Sequence, residues 1–449
     1  MDTLNVLVQD DLRHLIHPLH HPADHQHPLV IVEGRGAILK DIEGREYIDG
    51  LSCLWNVNAG HGRAELAQAA AEQMARLAFV SSYIGTTNIP AIRLAERLVG
   101  LAYSNISGVY FTTGGAESNE SAFKFVRYFW KVRGKPTKTK IISRVHSYHG
   151  LTLGAMSATG MAVFHRMFGP LAPGFLQIPA PYAYRWPGNG DVGVEAADAL
   201  EQAILKEGPD TVAAFIAEPV MGAGGVIPPP PAYFPRVREI CDRHDVLFIS
   251  DEVITGFGRT GRWFALDHWG VQPDLVTFAK GVTSAYLPLG GVMVSKRVHD
   301  ALQEAPADRK FMHAATYSGH PTCCAVALRN LDILEEEGLV SRAEEMGRRL
   351  RAGLDALRDL PVVGDVRGMG MMCGIELVTD RAAKTPALGL VPRVLQESRS
   401  RGLLPRPRLG SADPPIGDVI CLAPPLMTPV ETIDRIPEIL RAAIIAATR

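Results

Sequence analysis

The sequence has 449 residues, enough for two or three domains and a sizeable buried core. Its 47% hydrophobic and 21% charged residues are typical of a globular protein and exclude a disordered or fibrous chain. The formal net charge of -2 indicates neither a nucleic-acid groove nor attraction to an anionic membrane surface, so we expect a small ligand and no nucleic-acid partner.

The cysteine pattern and the N-terminal residues bear on the cellular compartment. Six cysteines occur without a C-x-x-C pair or a disulfide-framework spacing, which is typical of buried thiols in a reducing compartment. The N-terminal segment lacks a basic region followed by an apolar stretch, and no run of about 18 apolar residues occurs in the sequence. We therefore expect a cytoplasmic protein with no membrane partner.

The first part of the chain contains six histidines between His14 and His27. Prolines interrupt them, no cysteine accompanies them, and no downstream carboxylate cluster completes a metal site. We therefore expect a surface arm or a segment at the mouth of a pocket, and no bound metal. The residues that follow, Val30–Asp49, predict two short strands joined by a turn at Ile42–Arg45.

Apolar runs rich in β-branched and aromatic residues then recur and alternate with segments of helical periodicity. This alternation predicts the α/β class, with a mostly parallel sheet flanked by helices on both faces and ligands beyond the carboxyl ends of the strands. The predicted strands are Val109–Thr112, Ile141–Ser143, Val212–Ala217, Val246–Ser250, Leu275–Ala279 and Gly291–Val294. The predicted helices between them are Glu117–Arg133, Glu195–Lys206 and Ala232–His244.

The C-terminal third has a different pattern. A long helical periodicity runs from about Ala325 to Leu357, and a closing helix covers Val430–Thr448. The chain therefore divides into an N-terminal arm with part of a small domain (1–59), a large domain (60–330) and a C-terminal small domain (331–449).

Two segments directly after predicted strands could hold an anion and a planar ring. Thr113–Asn119 runs into a helix, where free backbone N–H groups and the helix dipole favour a phosphate, although a tight packing turn is the alternative. Tyr148 follows the next strand, where its ring could stack on a heterocycle or only pack against neighbours.

A carboxylate and an amine follow two later strands. Asp251 ends a buried strand and needs a cationic partner such as a protonated ring nitrogen, unless it caps a helix or forms an internal ion pair. Desolvation at Lys280 would favour the neutral amine that Schiff-base formation requires, whereas a structural lysine reaching the sheet edge is the alternative. Together these four features are the parts that a pyridoxal phosphate enzyme needs.

Five motifs occur in order along the chain. They are EPV at Glu218–Val220, DEVITGFGRTG at Asp251–Gly261, AKG at Ala279–Gly281, LPLGG at Leu287–Gly291 and TYSGHP at Thr316–Pro321. With them the chain resembles the class III pyridoxal-phosphate aminotransferases of fold type I over nearly its whole length. The resemblance implies pyridoxal 5'-phosphate as cofactor, transaminase activity, and a homodimer with active sites at the subunit interface.

Position by position, the resemblance implies roles for the residues around the cofactor ring. Lys280 corresponds to the Schiff-base lysine and Asp251 to the partner of the ring nitrogen. Tyr148 and Val253 correspond to the residues on the two faces of the ring, and Glu218 to an acidic residue near the cofactor.

The resemblance also implies the phosphate contacts. Gly115 and Ala116 correspond to the backbone phosphate cup, and Thr316 to a residue that reaches the phosphate from the neighbouring subunit. The chain departs from the common Ser-Gly-Ser-Glu-Ala-Asn cup, because it reads GGAESN at Gly114–Asn119. A side-chain hydroxyl is therefore lost, and more of the phosphate binding falls to backbone amides.

Two further segments resemble the ω-amino acid:pyruvate and amine:pyruvate branch of this family. LWNVN at Leu54–Asn58 makes Trp55 a pocket wall, and YIGTT occurs at Tyr83–Thr87. This branch has an arginine near the C-terminus that binds the substrate carboxylate. Arg406 is the candidate because a guanidinium binds a carboxylate with two hydrogen bonds, but Arg408 lies two residues away and a solvent-exposed arginine is the alternative.

The resulting prediction is transfer of an amino group from an ω-amino acid or amine donor to a keto acid, with pyruvate favoured, by a ping-pong mechanism through a Schiff base at Lys280. An isomerase or decarboxylase that uses the same cofactor stays open, since a fold does not determine a reaction. A cofactor-binding regulatory protein is less favoured, because no basic DNA-binding extension precedes Val30.

Overall fold

The computed structural model describes residues 3–19, 21–83, 85–412 and 415–449. Within these ranges the helices are α1 (Thr3–His14), α2 (Ser52–Trp55), α3 (Ala64–Arg76), α4 (Ile89–Leu101), α5 (Gly115–Val132), α6 (Leu153–Ala158), α7 (Val192–Glu207), α8 (Tyr233–Arg243), α9 (Lys296–Gln303), α10 (Pro321–Glu336), α11 (Leu339–Asp355), α12 (Val391–Ser400) and α13 (Val430–Thr448). The strands are β1 (Ile31–Arg35), β2 (Ile38–Asp41), β3 (Glu46–Asp49), β4 (Ile106–Thr112), β5 (Lys140–Arg144), β6 (Phe175–Ile178), β7 (Val212–Ala217), β8 (Leu247–Asp251), β9 (Leu275–Phe278), β10 (Gly290–Ser295), β11 (Val363–Met369), β12 (Met372–Asp380), β13 (Thr385–Pro386), β14 (Leu403–Leu404), β15 (Arg406–Arg408), β16 (Ser411–Ala412), β17 (Pro415–Ile416) and β18 (Val419–Leu422).

Seven strands form the central sheet, in the order β4-β10-β9-β8-β7-β5-β6. β10 runs antiparallel to both of its neighbours, whereas the pairs from β9 to β6 are parallel. β7, β8 and β10 are buried at every position, as expected for strands that are covered on both faces. The predicted α/β class with a mostly parallel sheet is therefore confirmed.

Two apolar cores cover the two faces of the central sheet. On β7, Phe215 belongs to the core that includes residues of α7 and α8, while Ile216 belongs to the core that includes residues of α5. The two neighbours separate in this way because successive strand side chains point to opposite faces. With both faces covered, the strand ends are the part of the sheet that is open to a ligand.

Both ends of the chain contribute to the smaller sheets. β1, β2 and β3 form a sheet that β14 completes by pairing in parallel with β3, and β11, β12, β18 and β15 form another sheet, with β13 paired to β12. The prediction of two strands in Val30–Asp49 was incomplete. A reversal at Gly36, which has a φ of 58°, divides the first predicted strand into β1 and β2.

The long helical pattern of the C-terminal third is two helices rather than one. α10 and α11 are separated at Gly338, whose φ of 61° is the left-handed conformation that glycine adopts at little steric cost at a helix end. The closing helix α13 has the predicted bounds. Among the helices of the described ranges, none is both long enough and apolar enough to span a lipid bilayer.

Candidate active site

A cavity of about 440 Å³ opens at the carboxyl edge of the central sheet. Its lining includes residues from the ends of five strands, namely Gly115 after β4, Tyr148 after β5, Glu218 after β7, Asp251 on β8 and Lys280 after β9. Ligands of open α/β sheets bind at this edge. The fold therefore brings five residues that are distant in sequence into one cavity.

Lys280 begins a short 3₁₀ turn directly after β9. Its φ of 47° is left-handed, and the nearby Ser284 and Ala285 are also left-handed. Such conformations cost about 1–3 kcal/mol each and cluster at functional sites. Burial lowers the pKa of Lys280 to about 8, against the opposing effect of the carboxylates of Asp251 and Glu218. About a tenth of this amine is therefore uncharged and nucleophilic at pH 7.

Asp251 closes β8 and is buried. Its carboxylate accepts hydrogen bonds from the Nδ1–H of His149 (2.7 Å), the side-chain amide of Asn119 (2.8 Å) and the backbone N–H of Val253 (3.1 Å). Burial acts to raise the pKa of Asp251, but these hydrogen bonds and the charge of His149 outweigh burial and lower it. Asp251 is therefore held ionised, and no lysine or arginine in the described part of the chain forms an ion pair with it.

Glu218 is a second buried carboxyl group in the cavity. It accepts hydrogen bonds from the backbone N–H groups of Tyr148 (3.0 Å) and Gly222 (2.9 Å). Burial and, to a smaller extent, the charge of Asp251 raise the pKa of Glu218, although His149 and the two backbone donors act in the lowering direction. Glu218 is therefore the easier of the two carboxylates to protonate.

The turn between β4 and α5 offers an anion site. Gly114 is the N-cap of α5, no side chain caps the helix, and Gly115 and Ala116 occupy its first turn. The backbone N–H groups and the positive end of the helix dipole therefore point toward the cavity edge. A Cβ atom at position 115 would lie 2.8 Å from Cγ1 of Val253, closer than side chains pack, so any other residue would have to displace Val253.

The cavity residues fit pyridoxal phosphate. An ionised carboxylate suits the protonated ring nitrogen, a helix N-terminus suits the phosphate, and a partly neutral lysine suits the aldehyde. Tyr148 and Val253 line the same cavity and offer an aromatic and an aliphatic surface. Beside Asp251, the buried Oδ1 of Asn119 and Nε2 of His149 have no hydrogen-bond partner among the described residues, so both can bind polar groups.

Trp55 was predicted to form a pocket wall, but in the single chain its side chain lies in the apolar core. Trp55 is only 2% exposed and packs in an apolar cluster, while its neighbours Leu54 and Asn56 line the cavity. The backbone is left-handed at Cys53 and at Trp55, so the indole turns into the core and its neighbours face the ligand space. Leu54 and Asn56 are therefore the wall residues of this segment.

The second predicted pocket segment is a surface turn in the single chain. Tyr83 is 40% exposed, and the Thr86 hydroxyl donates a hydrogen bond to the Tyr83 carbonyl (2.9 Å). Neither residue lines the cavity. Ile84, which belongs to the same motif, lies outside the described residues.

Thr316 and Arg406 come from outside the central sheet. Thr316 is exposed shortly before α10 and does not line the cavity of the single chain. Arg406 is half-buried at the start of β15. Burial of Lys280 is the main cause of its lowered pKa, and the positive charge of Arg406 acts in the same direction. Arg408 is buried, donates to the Leu409 carbonyl and lies 3.3 Å from Nδ1 of His146. Arg406 is thus the freer of the two guanidinium groups.

His149 and Asn119 are site residues to which sequence reasoning assigned no function. They lie 102 and 132 residues from Asp251 along the chain, so their contacts with its carboxylate depend on the fold. Two features of the sequence could have identified them. A buried carboxylate requires hydrogen-bond donors, and both residues have polar side chains and come shortly after predicted strands.

Comparison with known proteins agrees with this site. The chain matches the family model of the class III aminotransferases over residues 20–444. It is 41% identical to the diaminobutyrate–2-oxoglutarate transaminase of Halomonas elongata, over 97% of this chain and 95% of that protein. It is 38% identical to the putrescine–pyruvate aminotransferase of Pseudomonas aeruginosa, over 92% of this chain and 90% of that protein.

Among solved structures, an (S)-enantioselective omega-transaminase from Thermomicrobium roseum superposes with a TM-score of 0.94 at 46% identity, and the match covers 99% of both chains. The family match spans nearly the whole sequence, the folds coincide, and the cavity fits the family's cofactor. The chain therefore belongs to the class III aminotransferases, which are pyridoxal-phosphate-dependent transaminases of fold type I.

Proposed function

We propose that the protein transfers an amino group from an ω-amino acid or amine donor to pyruvate in a ping-pong cycle. The observation that carries this proposal is that Lys280, with a pKa lowered to about 8, shares one cavity with the buried carboxylate of Asp251. A cavity of about 440 Å³ suits the cofactor and one small substrate, so donor and acceptor would occupy the same space in turn.

Lys280 would serve as the covalent attachment residue and as the acid-base group. Pyridoxal phosphate, when bound, supplies an aldehyde that takes up nitrogen and a ring that withdraws electrons from the reacting carbon. The neutral Nζ of Lys280 would take a proton from the carbon that bears the donor's amino group, and the protonated Nζ would return one to the acceptor carbon. A pKa of about 8 suits both tasks, because both forms of the amine are populated near neutral pH.

Asp251 would keep the cofactor's ring nitrogen protonated. It can do so because the hydrogen bonds from His149 and Asn119 hold its carboxylate in place and ionised inside the protein. Glu218 would lie beside the cofactor as the carboxyl group that is more readily protonated.

Binding of the cofactor would use the remaining cavity residues. Gly115 and Ala116 would bind the phosphate through their backbone N–H groups, and Tyr148 and Val253 would contact the two faces of the ring. We propose a homodimer with interfacial active sites, in which Thr316 binds the phosphate held by the neighbouring subunit. The exposure of Thr316 in the single chain supports this arrangement.

Arg406 would bind the carboxylate of the keto acid, since it is half-buried and its guanidinium makes no hydrogen bond or ion pair with another described residue. Trp55 would support the pocket wall from the core side, behind Leu54 and Asn56. The pyruvate proposal rests on the resemblance to the pyruvate branch and on the Pseudomonas aeruginosa relative, whereas the Halomonas elongata relative is named for 2-oxoglutarate. One available guanidinium suits the single carboxylate of pyruvate.

The test combines purified, cofactor-loaded protein with β-alanine, taurine, 1-phenylethylamine or putrescine as donor, and with pyruvate or 2-oxoglutarate as acceptor. We expect alanine to form faster than glutamate, and double-reciprocal plots at several fixed donor concentrations to be parallel. Faster formation of glutamate would contradict the pyruvate assignment, and intersecting plots would contradict the ping-pong cycle.

A further inference from the structure

Three potential metal ligands meet in the N-terminal arm, and none of them lines the cavity. Nε2 of His17 lies 3.0 Å from both carboxylate oxygens of Asp11, and Nε2 of His25 lies 3.1 Å from Oδ2 of the same carboxylate. The two imidazole rings have centroids 3.6 Å apart. Two imidazole nitrogens and a carboxylate therefore converge on one small volume.

Regular structure lies at both ends of this cluster along the chain, α1 at Asp11 and a 3₁₀ turn just before His25. Asp11 lies in the last turn of α1, and its carbonyl accepts the backbone N–H of Leu15 (3.0 Å). His25 directly follows a 3₁₀ turn at Pro22–Asp24, and its backbone N–H donates to the Pro22 carbonyl (3.3 Å). A capping box in which His21 participates stabilises that turn. Two of the three ligand residues, Asp11 and His25, are thus carried by hydrogen-bonded local structure.

The spacing of these atoms suits a divalent metal. In a tetrahedral zinc site with bonds of about 2.0–2.1 Å, neighbouring ligand atoms lie about 3.3 Å apart. The distances from the imidazole nitrogens to the carboxylate oxygens here are 3.0–3.1 Å. Imidazole suits zinc, whereas magnesium and calcium prefer all-oxygen sites. The three side chains are 19–24% exposed, so water can supply the fourth ligand.

We propose that Asp11, His17 and His25 bind one zinc ion that fastens the segment following α1 to the end of that helix. This proposal replaces the expectation of an arm without metal. That expectation considered only a carboxylate downstream of the histidines, whereas the carboxylate comes from the helix before them. The site is independent of the transaminase reaction, since none of its residues lines the cavity.

The principal alternative is that the two imidazoles only donate hydrogen bonds to Asp11. A second cluster, formed by Asp49, Cys53 and His61, could also take up zinc. In that cluster the two carboxylate oxygens of Asp49 already share the single backbone N–H of Cys53, at 2.8 and 2.9 Å. The experiment therefore has to separate the two clusters from each other and from simple hydrogen bonding.

The first measurement uses the untagged holoenzyme, stripped with chelator and then titrated with zinc in competition with a chromogenic chelator. We expect one tight zinc per chain in the parent protein. His25→Ala should weaken binding at least about 100-fold, since loss of a ligand exceeds the 10–100-fold cost of losing an outer-shell partner. His27→Ala, two positions away on the same exposed arm, should bind as the parent does, and cofactor absorbance should show that both variants are folded.

The second measurement follows trypsin cleavage after the exposed Arg13, which lies between Asp11 and His17. Zinc should slow this cleavage in the parent protein and in His27→Ala, but not in His25→Ala. The proposal is overturned if no tight zinc binds, if His25→Ala binds zinc as well as His27→Ala, or if His61→Ala alone abolishes binding.

Discussion

The cofactor edge and the chain-end segments of this protein are built differently. The cofactor edge consists of Gly115, Tyr148, Glu218, Asp251 and Lys280, each of which lies on or just after a strand of the central sheet. Buried strands with cores on both faces allow these residues little movement. The groups proposed to perform the chemistry are therefore positioned by the closely packed central sheet.

The chain-end segments, Ser52–Asn58 and Leu403–Arg408, carry the residues expected to contact the substrate. They belong to short elements of the smaller sheets or to irregular backbone. The buried guanidinium of Arg259 ties the first segment to the fold through the Ser52 hydroxyl (2.9 Å) and the Asn58 side-chain oxygen (2.6 Å). Substrate choice can therefore change in these segments while the cofactor edge stays intact.

The largest expected effect comes from a substitution that removes the reactive amine of the cofactor edge. Lys280→Ala removes both the attachment point and the acid-base group, so we expect kcat for alanine formation to fall about 10⁴-fold or more. Lys296→Ala, at a lysine that is 74% exposed, should leave kcat unchanged. A Lys280→Ala variant that retains a tenth of the parent activity would contradict the assignment.

Asp251→Asn keeps the size of the side chain but removes its charge. Because an ionised carboxylate is proposed to hold the proton on the ring nitrogen, we expect kcat/KM to fall about 10²- to 10³-fold. Asp198→Asn on the partly exposed α7 surface is the control, and the melting temperatures of both variants report on folding. A loss of less than about threefold would show that the charge of Asp251 is not needed.

Substitutions in the chain-end segments should weaken the selection of substrates without impairing the chemical steps. Arg406→Leu should raise the KM for pyruvate about 10- to 100-fold, since a charged hydrogen-bonding partner of the carboxylate is lost. The KM for 1-phenylethylamine, which has no carboxylate, should change little. Arg401→Leu, at an arginine paired with Glu397 on the surface, is the control. An equal rise for both substrates would contradict a carboxylate-specific role.

The smallest effect is expected from a substitution that disturbs the close packing at the phosphate site. Gly115→Ala would place a Cβ atom 2.8 Å from Val253, and relief of this overlap should cost about 1.4 kcal/mol, or a tenfold weaker cofactor affinity. Gly100→Ala is the matched control, because nothing lies within 4 Å of a Cβ atom there. Dissociation of the cofactor, followed by absorbance, measures both. Equal affinities in the two variants would count against Gly115 as part of the cup.

The comparison of the two regions also explains what the sequence could predict. Asp251 and Lys280 follow apolar runs whose local pattern predicts strands, and parallel strand ends meet at one edge of the sheet. The contact of His149 with Asp251 spans 102 residues, and the meeting of His17 with Asp11 depends on a turn after α1. No local pattern determines either distance.

Trp55 shows why side-chain orientation is harder to predict in the chain-end segments than at strand ends. Its motif lies in a segment that lines the cavity through Leu54 and Asn56, but the left-handed backbone at Cys53 and Trp55 decides which side chains face the cavity. Such conformations are rare for residues other than glycine and are maintained by the surrounding packing. Periodicity rules assume regular backbone, so they give no orientation for these side chains.

Borohydride reduction of the holoenzyme, followed by peptide mapping, tests the central claim most directly. Reduction fixes the cofactor permanently to the lysine that holds it. We predict that the label lies on the peptide containing Lys280 and is missing from Lys280→Ala. A label on another lysine of the parent protein, or undiminished labelling of the variant, would contradict this account.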